Sequence, residues 1–167
     1  TTTTTIDARY DLQHDAQDYC HRDHPLFLAV EATNDLAVVE LCKLTHCVVN
    51  PFNKTKDTPL AVFCDTFRTV NRESVKRANT IIRTLVKNCA DVNNENNDDS
   101  TTSFASVRTP LDFAVTHGSV ELCEILIDEG AEWKKTDHKL SALLQDFMKW
   151  NYGTKSQVEE MRKFFDG

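Results

Sequence analysis

The sequence predicts an all-α solenoid of stacked helix–turn–helix units, and three observations predict it. A cap-Pro-Leu start occurs at His24-Pro25-Leu26, Thr58-Pro59-Leu60 and Thr109-Pro110-Leu111, each time followed by two apolar segments at helical spacing. The three prolines lie 34 and 51 residues apart, and the first interval fits a two-helix repeat of about 33–34 residues. Glycine is scarce: the 167 residues hold four, and none precedes Gly118. A many-stranded sandwich or barrel needs Gly and Pro at its turns. Glycine-rich phosphate loops need a backbone that a nucleotide can approach closely. Both classes are disfavoured by that scarcity.

The first unit opens with His24 in the capping place and Leu26, Ala29 and Val30 on one face. Its second helix carries Val38, Val39, Leu41, Cys42 and Leu44, and it leaves through Val48-Val49-Asn50, with Asn34 near the break. The second unit puts Phe63 where the first and third have Ala29 and Ala114, so its packing must differ. About ten inserted residues, roughly Asp65 to Val75, then precede Ile81, Ile82, Leu85 and Val86, with Asn88 or Cys89 offered for a left-handed cap. After Ala90-Asp91-Val92-Asn93, residues 94–103 are free of apolar side chains and read as a loop.

The third unit is the most regular. Thr109 can cap the first helix, and Pro110 at its first position sacrifices no needed N–H. Leu111, Ala114 and Val115 fall at i, i+3 and i+4, while Leu122, Ile125, Leu126 and Ile127 supply the second stripe. Gly118 and Gly130 are placed to end the two helices in the left-handed conformation. A fourth, weaker unit runs from His138-Lys139-Leu140 to Val158, Met161, Phe164 and Phe165, without the proline and with a long middle from Trp150 to Ser156.

Thr109-Pro110-Leu111, the small Ala114, Gly118, the paired leucines and Gly130-Ala131 closely resemble the ankyrin repeat, and the two earlier units resemble it more loosely. The resemblance implies an ankyrin-repeat solenoid with short hairpin loops and repeats at about 23–53, 54–94, 105–135 and a degenerate or capping unit at 136–167. Residues 1–22 are then an N-terminal tail with or without a capping helix. Ankyrin arrays bind proteins on a concave face of hairpin tips and first helices. On matching positions this implies a partner surface of Lys54, Thr55, Asp57, Asp65, Arg108, Thr116, His117, Trp133, Lys134 and Lys135. Trp133 reads either as a core plug or as an exposed anchor.

Charge adds to that surface. The chain carries a formal net charge of −7, but residues 65–87 hold six bases against Asp65 and Glu73. Arg68, Arg72, Lys76 and Arg77 lie in or beside the insertion, where they can serve an acidic partner or a plain solvated helix face. Nucleic acid is disfavoured, because the stretch offers only Phe67 for stacking and the chain is acidic. No nucleophile, base and orienting group share a readable spacing, so no enzyme activity is expected. Zinc is the alternative chemistry at Cys20-His21-Arg22-Asp23-His24 and Cys42/His46/Cys47, yet no C-x-x-C occurs. No metal or cofactor is expected.

Six cysteines, several within or beside apolar runs (Cys42, Cys64, Cys89, Cys123), read as reduced core thiols and point to the cytoplasm or nucleus. No apolar stretch is long enough to span a membrane. The five opening threonines and missing initiator Met read as an excised fragment. The expected function is a protein-interaction module with an unidentified protein partner. The alternative is an accessory domain that positions an enzyme encoded elsewhere, and self-association through the incomplete last unit stays open.

Overall fold

The computed structural model describes residues 24–44, 49–51, 57–69, 71–94, 109–133, 137–150 and 154–166. Regular structure among them is entirely helical. The elements are α1 (Pro25–Glu31), α2 (Asp35–Lys43), α3 (Pro59–Thr66), α4 (Arg72–Lys87), α5 (Pro110–Thr116), α6 (Val120–Asp128), α7 (Asp137–Trp150) and α8 (Lys155–Asp166). The odd-numbered helices stack α1 on α3 on α5 on α7, and the even-numbered ones stack α2 on α4 on α6 on α8. Two helical layers therefore enclose one continuous core.

Helix starts follow from their caps. Thr58 Oγ1 accepts the Ala61 N–H at 3.3 Å, and Thr109 Oγ1 accepts that of Asp112 at 3.3 Å. Asp112, itself buried, reciprocates by accepting the Thr109 N–H at 2.8 Å, which closes a capping box. His24 does the same work for α1 with imidazole Nδ1, which accepts the Leu26 N–H at 3.3 Å. Partial burial holds the His24 pKa below its usual value, favouring the neutral ring that this acceptor role requires.

Helix ends repeat one device. At residues 33, 89, 118 and 130 the chain turns left-handed, with φ of 50°, 70°, 66° and 96°. Each turn is closed by a pair of backbone bonds, such as Ser119 N–H to Ala114 O at 3.1 Å and Gly118 N–H to Val115 O at 3.0 Å. Among the described residues only the third unit uses glycine there. In the first unit the left-handed residue is Thr33, not Asn34. Asn34 is instead the N-cap of α2, its Oδ1 accepting the Ala37 N–H at 3.0 Å. In the second unit Asn88 keeps φ at −98° and Cys89 turns.

Neighbouring units are stapled by asparagine. Asn50 Nδ2 donates to Cys89 O at 2.8 Å while its Oδ1 accepts the Asp91 N–H at 3.1 Å. Asn93 repeats the pattern one unit on, donating to Gly130 O at 3.1 Å and accepting the Glu132 N–H at 2.8 Å. Asn93→Ala deletes both bonds, and we expect it to lower the unfolding free energy by about 1–2 kcal/mol in urea titrations. A loss too small to measure would show that the staple is incidental.

Two expectations need correction. Ile127 is not part of the buried stripe: it is 38% exposed, because Leu122, Cys123 and Leu126 already fill the inward arc of α6. Cys89 is not a core thiol. It is exposed at its left-handed turn, whereas Cys42, Cys64 and Cys123 are buried. Burial, above all, raises the Cys64 and Cys123 thiols far above the ordinary cysteine range. A thiol reagent on the native protein should therefore modify Cys89 and spare Cys64 and Cys123 until denaturant is added. Equal labelling rates at the three, read by peptide mapping, would contradict this packing.

Candidate partner-binding ridge

The insertion in the second unit forms the most individual surface of the fold. α3 ends without a left-handed turn, since Phe67 continues in extended backbone with ψ at 139°. Its ring drops into the core against Phe63, centroids 5.2 Å apart. Arg68 is pinned beside it, one guanidinium nitrogen donating to the carbonyls of Asp65 at 2.7 Å and Phe67 at 2.8 Å. Thr69 and Ser119 share a hydroxyl hydrogen bond of 3.0 Å that ties the insertion to the α5–α6 turn. His117 Nε2 lies 3.0 Å from Asp65 Oδ1, a second tie between the same units.

The later part of the insertion is helix rather than loop. Asn71 and Ser74 form a capping box of their own, with the Ser74 N–H donating to Asn71 Oδ1 at 2.9 Å and the Asn71 N–H to Ser74 Oγ at 3.1 Å. This start gives α4 16 residues, against 9 in each of its stacking neighbours α2 and α6. The buried residues of α4 are Ala78, Ile81, Ile82 and Leu85. The preceding segment 72–77 is thus an overhang beyond what the core requires. It carries Arg72, Lys76 and Arg77 in exposed positions. Glu73 is engaged by Lys76 at 3.3 Å.

Two hollows flank this ridge. One, of about 280 Å³, lies between Phe67–Thr69 and the α5–α6 turn, with Gln157 and Glu160 of α8 at its rim. The other, of about 300 Å³, lies between the α4 overhang and Thr33 of the α1–α2 turn. Arg68 borders both.

The residues singled out from sequence fare differently. Asp65, Arg68 and Arg72 are exposed along the ridge, and Asp57 is half-buried just ahead of the Thr58 cap. Thr116 is corrected: it is 5% exposed, with its hydroxyl donated to Asp112 O at 2.8 Å, so it is turned inward from any partner surface. The His117 side chain is 8% exposed, so it offers its neighbour Asp65 to the surface more than itself. Trp133 is the plug and not the free anchor, stacked on Phe165 with centroids 4.3 Å apart and 28° between planes. Lys54, Thr55, Arg108, Lys134 and Lys135 lie outside the described residues, as do Cys20, His46 and Cys47. Among the described residues no three His, Cys, Asp or Glu side chains converge as metal ligands. No described helix is long and apolar enough to cross a membrane.

The Asp65–His117 and Thr69–Ser119 ties span 52 and 50 residues of sequence, and no local spacing announces them. The α4 start was more accessible, because Asn71 three residues before Ser74 is a helix-opening pattern.

A search of curated proteins returns no match to the chain. A family model, Ankyrin repeat, matches residues 108–138. That span covers α5, α6 and their caps, where Thr109, Gly118 and Gly130 take the places the resemblance assigned. Residues 108–138 are thus an ankyrin repeat, and the helices stacked on either side of it complete an all-α, ankyrin-like array.

Proposed function

We propose that this chain is a protein–protein interaction module whose partner docks on the ridge built by residues 67–77 and continues onto the concave side. Ankyrin repeats are in general protein-binding units without catalytic groups, which supports the reading. The observation that carries it is the α4 overhang. It has its own capping box, it adds nothing to the buried core, and it fixes three exposed cations on a rigid helix. The resemblance also assigns Lys54, Thr55, Arg108, Lys134 and Lys135 to the partner surface in this reading. Free thiols at Cys42, Cys64, Cys89 and Cys123 support a reducing compartment, cytoplasmic or nuclear.

The test is site-specific photo-crosslinking from positions 72 and 76, with a probe at Glu124 on α6 as the control. Stoichiometric adducts from the ridge positions and none from the control are expected. Adducts from the control position alone, or no protein adduct from any position, would overturn the proposal.

A further inference from the structure

We infer that the hollow beneath the α4 overhang receives an acidic segment of the partner protein, an inference that rests on the binding role proposed above. The hollow of about 300 Å³ has Phe67 in its lining and Arg68 and Arg77 at its border, opposite Thr33. Arg68 is held in place by two carbonyls, so its remaining N–H groups are presented at little conformational cost. Arg77 has no acidic partner among the described residues, and the carboxylate that also borders the hollow, Glu73, is engaged by Lys76. A guanidinium fixed like that of Arg68 suits a carboxylate, which it binds in bidentate fashion.

α4 carries further charge on an adjoining face. Arg72, Lys76, Arg83 and Lys87 fall within about 60° of arc, given 100° per residue, and Arg77 stands about 80° round from Lys87. Within that stripe Lys76 is engaged by Glu73 and Arg83 by Glu129 at 3.1 Å. With five bases against Glu73, α4 carries a net +4 in a chain whose formal net charge is −7. An extended peptide of about seven or eight residues matches the length of this helix, about 24 Å.

The same surface is unsuited to nucleic acid. Phe67 is 4% exposed and cannot stack a base. α6, packed beside α4, presents Glu121, Glu124 and Asp128 to solvent, and these repel a phosphate chain laid across the even-numbered layer. A short acidic segment seated at Arg68, Arg72 and Arg77 does not have to cross α6.

The test titrates the full 167-residue chain into a fluorescein-labelled peptide of about ten residues in which Glu alternates with Leu and Ala. A Gln-for-Glu peptide and an oligouridylate of similar length serve as comparisons. The Glu peptide should bind, with the Gln peptide weaker by roughly tenfold or more. The double variant R68E/R77E should lose roughly tenfold, with a single cooperative urea transition showing that it folds, and Lys163→Glu on α8 should lose nothing. Equal binding of the two peptides, unchanged affinity in R68E/R77E, or tighter binding of the oligouridylate would overturn the inference. So would salt-sensitive self-association abolished by R68E/R77E, which would make a second copy the occupant. A protein crosslinked at position 72 that binds R68E/R77E as well as the wild type would sink this inference and leave the module reading standing. Peptide binding without any crosslinked protein would do the reverse.

Discussion

Gly118→Ala is expected to destabilise the array by about 3 kcal/mol or more, from two separate causes. The backbone there has φ at +66°, a conformation in which an L side chain crowds its own carbonyl. A Cβ at this site would also enter the ring of Phe147 on α7, with Cε1 only 2.8 Å away. Phe147 is 3% exposed, so its ring is enclosed and cannot swing into solvent without opening the α5–α7 contact. Urea unfolding of Gly118→Ala, Phe147→Leu and the double variant separates the two costs. The double variant should recover the steric part and keep the backbone part, giving a measurable coupling between the sites. A Gly118→Ala loss under about 1 kcal/mol, or no coupling, would show that the ring does not seat on the glycine.

Phe63→Ala is expected to cost about 3–5 kcal/mol, although it installs the residue found at the corresponding places in α1 and α5. Ala29 and Ala114 occupy those places and are buried, as Phe63 is, at 6%, 0% and 0% exposure. A small residue there lets two helices approach. In α3 the insertion has changed the requirement: Phe67 leaves the helix in extended backbone and stands against the Phe63 ring. Truncating Phe63 therefore opens a cavity under the ridge, beside the Phe67 ring that packs on it. Phe63→Leu should cost less, because it retains most of the volume. A neutral or stabilising Phe63→Ala in urea unfolding would mean that α3 can settle into the geometry of its neighbours.

Much of the array was legible because its signals are local. A hydroxyl or imidazole before Pro-Leu caps its own helix within three residues, so Thr58, Thr109 and His24 could be assigned from spacing alone. Gly118 and Gly130 were equally plain. Thr33 was not, because a residue type that avoids positive φ gives no sign that the surrounding turn will impose it, and Cys89 was marked only alongside Asn88. Asn34 and Asn88 drew attention for their tolerance of that conformation, yet each stands one residue from it. Thr116 read as surface and Ile127 as core for a related reason. A helix this short has few residues to set the phase of its buried face, and a shift of one position exchanges inside for outside. At the ridge, the cations were visible in the sequence, whereas the hollow depends on Thr33, Phe67 and Arg77 meeting across three segments.

The asparagine staples also bear on how the array responds to temperature. Asn50 and Asn93 each join one unit to the next through polar bonds. Cys89 and Gly130, whose carbonyls they hold, are 41 residues apart, and 41 residues beyond Asn93 stands Lys134, a side chain with no acceptor for a backbone N–H. Among the described residues, the contacts that seat the last unit include Trp133 against Phe165 and Phe147 over Gly118. Apolar attraction weakens on cooling. The aromatic seating of the α7–α8 unit is therefore expected to weaken on cooling sooner than the asparagine bonds between the units before it.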